Sequence, residues 1–414
     1  MNVKISPQNL SGEVAAIPSK SQAHRMMIAA FLSGASPCLS IDSSSDDIEA
    51  TKDCLLQFSG SDTPVFDCRE SGSTLRFLLP IAMALKNKAT FIGAGRLPSR
   101  PLSPFKEQLE AHGCVFSMGE AETEICTVTG ALTGGTFTLP GNVSSQFITG
   151  LLFALPLLDE NSEIILSSPL QSALYVAMTL QVLTLFGIKI DIIFDENSAC
   201  SAFQIKGKQK YTRPEDMTVE GDWSNAAFWL AAGALASSVD CSVTCNGLNL
   251  ASEQGDKKVM SVIEAFGGNI SKNANRVTAS PGKLRGIEID ATDIPDLIPI
   301  LSVVASVSSG TTTVINAERL RIKESDRLHA TYDCLTKLGA DIEELSGGLM
   351  IKGKEKLKGG TVSGFNDHRM VMSMAIASIC CENPVIIEGA QAVNKSYPHF
   401  FDDFKKLGGD VVVV

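Results

Sequence analysis

IEAFG, residues 263–267, recurs in altered form five more times, as LLQFSG ending at Gly60, LEAHG at Gly113, LTLFG at Gly187, LTKLG at Gly339 and FKKLG at Gly408. Each has the apolar spacing of an amphipathic helix end, followed by a glycine able to turn left-handed and stop the helix. The stops lie 53, 74, 80, 72 and 69 residues apart, and 414 residues shared among six units is 69 each. The recurrence predicts repeated α/β units of domain-scale size, the first interval being short.

A second helix precedes each stop, beginning near Ser21, Gly72, Ser144, Asp222, Asp296 and Asp367. FLLPIAMAL at 77–85, QFITGLLFALPLL at 146–158 and MVMSMAIASI at 370–379 are apolar nearly all round, as helices central to a layer are. Short alternating or β-branched runs such as TFTLP, SEIIL, TVTG, FQIKG, GIEID, TTTVINA and LMIKG read as strands between turns. Charge, Pro and Gly in YTRPEDMTVEGDWS at 211–224 interrupt the pattern and suggest two halves. The segment before Ile17 holds no complete unit, so a discontinuous domain stays open.

A chain with 44% hydrophobic and 20% charged residues is expected to be globular and large enough to do without disulfides. Its net charge of −11 is a poor match to duplex nucleic acid or an anionic membrane. No apolar run reaches the roughly 20 residues of a membrane span, and MNVKISPQNLSGEVAAIPSK lacks the pattern of a secretory leader, so a cytoplasmic protein is expected. Eleven cysteines without CxxC pairing read as buried free thiols, with no metal site.

The chemistry-bearing residues gather at helix starts. SKSQAHR (19–25) puts Lys20 and Arg25 where a cation opposes the helix dipole unless an anion is bound. In ESGSTLR (70–76) Gly72 permits close backbone approach, Ser73 and Thr74 can cap, and Arg76 adds a cation, while Arg100 is stiffened by Pro101. GNVSSQF (141–147) places Ser144, Ser145 and Gln146 before an apolar helix, and Ser172 and Tyr175 stand three apart in QSALY. In RLRIKESDR (319–327) Lys323 and Arg327 are read as sharing one helical face beside Glu324, a carboxylate able to transfer a proton. Asp296 can deprotonate a hydroxyl, His368 can exchange a proton, and Arg369 and Lys395 are further cations. Each feature alone has a structural explanation, as a cap, a solvated face or a turn. Their convergence favours a cleft between two α/β halves holding more than one anionic group; neither a Walker A motif nor GxGxxG is present.

Through SKSQAHR, ESGSTLR, SRPL, GNVSSQF, DIPD, RIKESDR, NDHRM and NKSYP the sequence resembles the 5-enolpyruvylshikimate-3-phosphate synthases over nearly its whole length. The resemblance implies an α/β fold of two similar domains, each of three βαβαββ units in the inside-out barrel manner, with the active site in the interdomain cleft. It implies residues 1–18 plus 220–414 as a discontinuous phosphoenolpyruvate-side domain and 19–219 as the shikimate 3-phosphate side. The implied reaction, in the shikimate pathway to chorismate and the aromatic amino acids, joins phosphoenolpyruvate to shikimate 3-phosphate with release of phosphate. It needs no cofactor and no metal, and a monomer with small-molecule partners only, neither nucleic acid nor membrane, is expected.

By the same resemblance Lys20, Ser21, Arg25, Ser144, Ser145, Gln146, Ser172, Tyr175, Asp296 and Lys323 would hold shikimate 3-phosphate. Lys20, Gly72, Arg100, Gln146, Arg327, Arg369 and Lys395 would hold phosphoenolpyruvate, with Arg76 supporting the glycine loop. Glu324 is the implied proton donor and Asp296 the hydroxyl base, assisted by Lys20 and, more remotely, His368. Two positions depart from the family pattern: Glu70 and Arg319 stand where Asn is common, and an ionised Glu70 would repel phosphoenolpyruvate unless it points away.

Two alternatives remain. The related transferase acting on UDP-N-acetylglucosamine carries a reactive Cys in the arginine loop, whereas SRPLSPF has none and Cys114 falls at what reads as a helix end. A nonenzymatic anion-binding module would explain the cations but not Asp296 and Glu324.

Overall fold

The computed structural model describes residues 1–37, 44–58, 60–119 and 121–414. The chain opens with β1 (Val3–Ser6) and β2 (Gly12–Ala15), then α1 (Lys20–Leu32) and α2 (Asp46–Gln57). Next come β3 (Val65–Asp67), α3 (Gly72–Leu85), β4 (Lys88–Ile92), α4 (Phe105–Ala111), β5 (Cys114–Met118) and β6 (Glu124–Gly130). The order repeats in β7 (Gly135–Leu139), α5 (Ser145–Ala154), β8 (Ser162–Leu166), α6 (Ala173–Leu185), β9 (Ile190–Phe194) and β10 (Cys200–Ile205). After α7 (Trp223–Leu235) follow β11 (Val243–Asn246), α8 (Val259–Phe266), β12 (Asn269–Asn273) and β13 (Arg276–Ser280). Then come β14 (Glu288–Asp290), α9 (Ile298–Ser306), β15 (Thr311–Ile315), α10 (Arg327–Lys337), β16 (Asp341–Leu345) and β17 (Gly348–Lys352). The chain closes with β18 (Gly360–Ser363), α11 (His368–Ala377), β19 (Val385–Glu388), α12 (Phe400–Lys406) and β20 (Asp410–Val413).

Five four-stranded sheets obey one rule. Two parallel strands lie side by side, and a hairpin-related pair adds antiparallel to the second of them, giving β3-β4-β6-β5, β7-β8-β10-β9 and β14-β15-β17-β16. Parallel neighbours require a crossover, which the first helix of each unit supplies. The two remaining sheets follow the rule with borrowed strands. In β2-β11-β13-β12 the first strand is β2, and in β18-β19-β1-β20 the central antiparallel strand is β1, where Val3 pairs with both Ile387 and Val413. The α1–α2 pair makes a sixth helix pair; residues 38–43 between its helices lie outside the described residues, and no sixth sheet is present among the described ones.

The chain divides into two compact units, Met1–Ser19 with Glu220–Val414, and Lys20–Val219. Each has its own apolar core. In the first, every residue of α7, α9 and α11 is buried, because beyond their polar starts these helices are apolar nearly all round. α8 instead buries Val259, Met260, Ile263 and Phe266 and exposes Ser261 and Glu264, the three- and four-residue stripe of an outer helix. In the second unit α3 and α5 fill the central role. The strand runs expected from the sequence overlap β6, β7, β8, β10, β14, β15 and β17, several running one or two residues past the strand ends. This is the mixed α/β, inside-out architecture.

Several details differ from expectation. Gly113, Gly187, Gly267, Gly339 and Gly408 follow their helices at φ of +94°, +81°, +104°, +93° and +95°, but Gly60 is not left-handed. Lys323 and Arg327 do not share a helix: Asp326 takes an extended backbone, accepts the His329 N–H at 3.1 Å and starts α10 at Arg327, leaving Lys323 at the end of a short 3-10 turn. Cys114 opens β5 rather than ending a helix, because Gly113 has already reversed the chain. Of the ten described cysteines, all free, Cys200, Cys241 and Cys380 are only partly buried, and Cys38 lies outside the described residues. No helix among the described residues is long and apolar enough to cross a membrane.

Candidate active site

In the unit Lys20–Val219 the polar helix starts are tied together by their own side chains. Lys20, the first residue of α1, pairs with Asp47 of α2 at 2.7 Å. Arg25 is buried one turn further on; its Nε donates to Thr179 Oγ1 at 2.8 Å, Nη1 to Ser21 O at 2.6 Å and Nη2 to Tyr175 O at 3.0 Å. Its guanidinium also lies over Phe77, 5.1 Å from the ring centre. Burial pulls the Arg25 pKa down to about 10, against Tyr175, which raises it. That value leaves it cationic at neutral pH, and an added anion would offset the desolvation cost. Ser172 occupies the N-cap position of α6 with a left-handed backbone at φ 54° and no side-chain hydrogen bond to the helix end.

A second group forms around Gly72. Ser71 caps α3 by accepting the Thr74 N–H, and Ser144 caps α5 by accepting the Gln146 N–H at 3.3 Å. Ser145, the first residue of α5, is buried. Gln146 joins the two helices: its Oε1 accepts from Arg76 Nη1 at 3.1 Å and its Nε2 donates to Ser73 Oγ at 3.0 Å. Arg76 also donates to Pro101 O at 3.3 Å and lies over Phe147. A Cβ at Gly72 would stand 2.6 Å from Nη1 of both Arg76 and Arg100, so glycine is what lets the two guanidinium groups close on the backbone. The Glu70 carboxylate lies against Gly95.

In the other unit the acids and bases interlock. Arg327 is 1% exposed, and its guanidinium serves three carboxylates: Asp296 Oδ1 at 2.7 Å, Glu324 Oε2 at 2.8 Å and Asp367 Oδ2 at 2.8 Å. Asp296, in a 3-10 turn ahead of α9, also pairs with Arg369 at 3.1 Å and Lys323 at 3.5 Å. Asp367 caps α11 by accepting the Arg369 N–H at 2.9 Å and takes the Ser325 hydroxyl at 2.9 Å. Lys395 Nζ donates to Asn366 O at 2.6 Å, next to that cap. His368 is buried with Nδ1 4.0 Å from Asp367 Oδ1. Arg319 lies in the 3-10 turn Glu318–Ile322.

The electrostatics follow from this geometry. Burial alone would make Arg327 easier to deprotonate, but Asp367, Glu324 and Asp296 outweigh it and hold its pKa above the ordinary arginine value. Burial also works against the Asp367 carboxylate, yet Arg327 keeps its pKa below the ordinary range. Lys323 moves the other way: burial, reinforced by Arg327 and Arg319, lowers its pKa against the pull of Asp296. The arrangement therefore holds fixed cations beside two partly exposed carboxylates, Asp296 and Glu324, as anion binding with proton transfer requires.

The EPSP synthase (3-phosphoshikimate 1-carboxyvinyltransferase) family profile matches residues 42–404. The chain is 45% identical to 3-phosphoshikimate 1-carboxyvinyltransferase of Clostridium novyi (strain NT), covering 99% of this chain and 98% of that one. The chain belongs to the EPSP synthase family. The corresponding Clostridioides difficile (strain 630) protein is 42% identical, with 99% and 98% covered. Among solved structures, EPSP synthase from Acinetobacter baumannii shares the fold with a TM-score of 0.77 at 22% identity over 100% of both chains. The enolpyruvyl transferase NikO from Streptomyces tendae does so at 0.75 and 17% identity, covering 99% and 98%.

Family membership disfavours the UDP-sugar alternative, and so does Cys114, whose thiol burial pushes up to about 12, far from a reactive thiolate. Reading the sequence overlooked Asp47 and Thr179, which set the positions of Lys20 and Arg25 and carry no local signal. Ser73 and Asp367 were legible only as helix-start residues, and the structure adds that they hold Gln146 and Arg327.

Proposed function

We propose that this chain transfers the enolpyruvyl group of phosphoenolpyruvate to the 5-hydroxyl of shikimate 3-phosphate and releases phosphate. The observation that carries the reading is 45% identity to a 3-phosphoshikimate 1-carboxyvinyltransferase across 99% of the chain. In this proposal Lys20, Ser21, Arg25, Ser144, Ser145, Gln146, Ser172 and Tyr175 hold shikimate 3-phosphate, with Asp296 and Lys323 at its reacting end. Lys20, Gly72, Arg100, Gln146, Arg327, Arg369 and Lys395 hold phosphoenolpyruvate. The protein acts as a cytoplasmic monomer.

The chemistry is addition followed by elimination. Glu324 delivers a proton to C3 of phosphoenolpyruvate, C2 becomes electrophilic, and the substrate hydroxyl oxygen bonds to C2 while Asp296 takes its proton. The tetrahedral intermediate then loses a C3 proton and the phosphate group, which restores the enol double bond. Lys20 assists with charge, and His368 supports from beside Asp367. The pairing of Asp296 with three cations supports its staying ionised, hence able to accept a proton. Glu324, 24% exposed and paired with Arg327 at 2.8 Å, is the carboxylate better placed to exchange protons with solvent.

The assay supplies both substrates to purified protein and reads phosphate together with the enolpyruvyl product by mass. Turnover of UDP-N-acetylglucosamine instead would overturn the assignment. Glu324→Gln keeps an acceptor for Arg327 but carries no transferable proton, and kcat is expected to fall by about 100-fold with substrate binding changed by less than about threefold. Retained turnover rejects the acid role.

A further inference from the structure

Asp256 lies in the 3-10 turn Gly255–Lys258, is 1% exposed, and belongs to none of the motifs assigned above. Its Oδ2 accepts the Ser224 hydroxyl, and its Oδ1 is buried without a hydrogen-bond partner. Among the described residues no cation stands within ion-pair distance of it. The neighbouring carboxylates are provided for differently. Asp296 has Arg327, Arg369 and Lys323; Asp222 accepts the Asn225 N–H at 2.7 Å at the start of α7, where the helix dipole favours negative charge. An ionised carboxylate with one hydroxyl donor is costly to bury, whereas a neutral acid in the same place is not.

We infer that Asp256 stands as a neutral carboxylic acid, a positioning residue that does not compete with an anionic substrate for Arg369. The inference rests on the reading of Arg369 as a phosphoenolpyruvate-binding cation. Burial raises the Asp256 pKa to about 7; Asp296 and Asp222 add to the shift, and Arg369 and the Ser224 hydroxyl oppose it. On its own turn Lys257 is engaged with the Leu250 and Ser252 carbonyls and Lys258 with Asp293, and on α8 Glu264 pairs with Lys272. Asp222, Asp296 and Arg369 are thus the charges that face it. Above neutrality Asp256 ionises, competes for Arg369 and adds repulsion toward an incoming anion.

The test is the KM for phosphoenolpyruvate between about pH 6 and pH 8.5 in native protein and in Asp256→Asn, which mimics the neutral acid. Native KM is expected to rise by roughly fivefold or more with kcat changing less, while Asp256→Asn keeps the low-pH KM within about twofold throughout. A variant that shows the native rise, or a high KM already at low pH, overturns the proposal. Should the Asn variant fail to fold, Ser224→Ala removes a donor that favours the ionised form and should move the rise to higher pH; an unmoved or lowered midpoint overturns it. Infrared difference spectra without substrate should show a protonated carboxyl band at low pH that disappears on titration through neutrality. Its absence in folded protein overturns the proposal even if enolpyruvyl transfer stands, and its presence supports it even if that activity fails.

Discussion

His24 is buried in α1, where its Nδ1 lies 2.7 Å from Thr51 Oγ1; Thr51 Oγ1 is 2.6 Å from Thr74 Oγ1, which donates to Ser71 Oγ at 2.7 Å. Because Thr74 spends its proton on Ser71, it must accept from Thr51, and Thr51 in turn must accept from His24. The imidazole therefore carries a proton on Nδ1. Burial, with Lys20 and Arg25 adding to it, lowers its pKa well below the ordinary value. The folded form resists protonation while the unfolded chain takes a proton near pH 6.5, so the stability His24 contributes is present above about pH 6.5 and lost as pH falls below it. Urea unfolding of native protein and His24→Gln at about pH 7 and about pH 5 should show a shallower pH dependence in the variant; equal slopes would mean His24 is not buried neutral. At this scale the cations were legible in the sequence because their helix-start positions conflict with the dipole. Their partners were not, since Asp47 and Thr179 lie 27 and 154 residues from Lys20 and Arg25 in the chain and carry no motif.

The helices α8 and α10 end as their sequences require, in an apolar stripe and a left-handed glycine. Gly267 stands at φ +104°, and a Cβ there would also press on the Lys283 carbonyl. Gly267→Ala is expected to destabilise by at least about 1–2 kcal/mol, read as a lower urea midpoint at unchanged m value. An unchanged midpoint would show that the turn can relax. Inner and outer helices were also distinguishable from apolar periodicity, because a helix buried on all sides needs no polar face. The joint between Ile322 and Arg327 was not: the charged run is compatible with one continuous helix, and the break depends on Asp326 capping the next one.

For the molecule as a whole, the segment Lys20–Val219 is inserted between β2 and α7. Ser19 N donates to Glu220 O at 2.8 Å and Pro18 bridges to Gly221, so the insertion leaves and returns at one point. With its own core, Lys20–Val219 expressed alone is expected to unfold cooperatively, whereas removing the first 19 residues takes the central strand β1 from its sheet and β2 from another. Denaturant unfolding and hydrogen exchange on the isolated segment check this; absence of a cooperative transition would show that its core depends on the other unit.

By itself the sequence determined the repeat, the helix stops and starts, the apolar central helices and the cationic motifs, all of which are local properties read from spacing and charge. The tertiary structure decided what local pattern cannot encode: that β1 and β2 complete sheets begun hundreds of residues away, and that Arg327 is shared by three carboxylates. It also decided that Asp256 is buried with no cation among the described residues within ion-pair distance. Strand pairing and the cost of burying charge depend on which groups meet in space, and those meetings are set by packing.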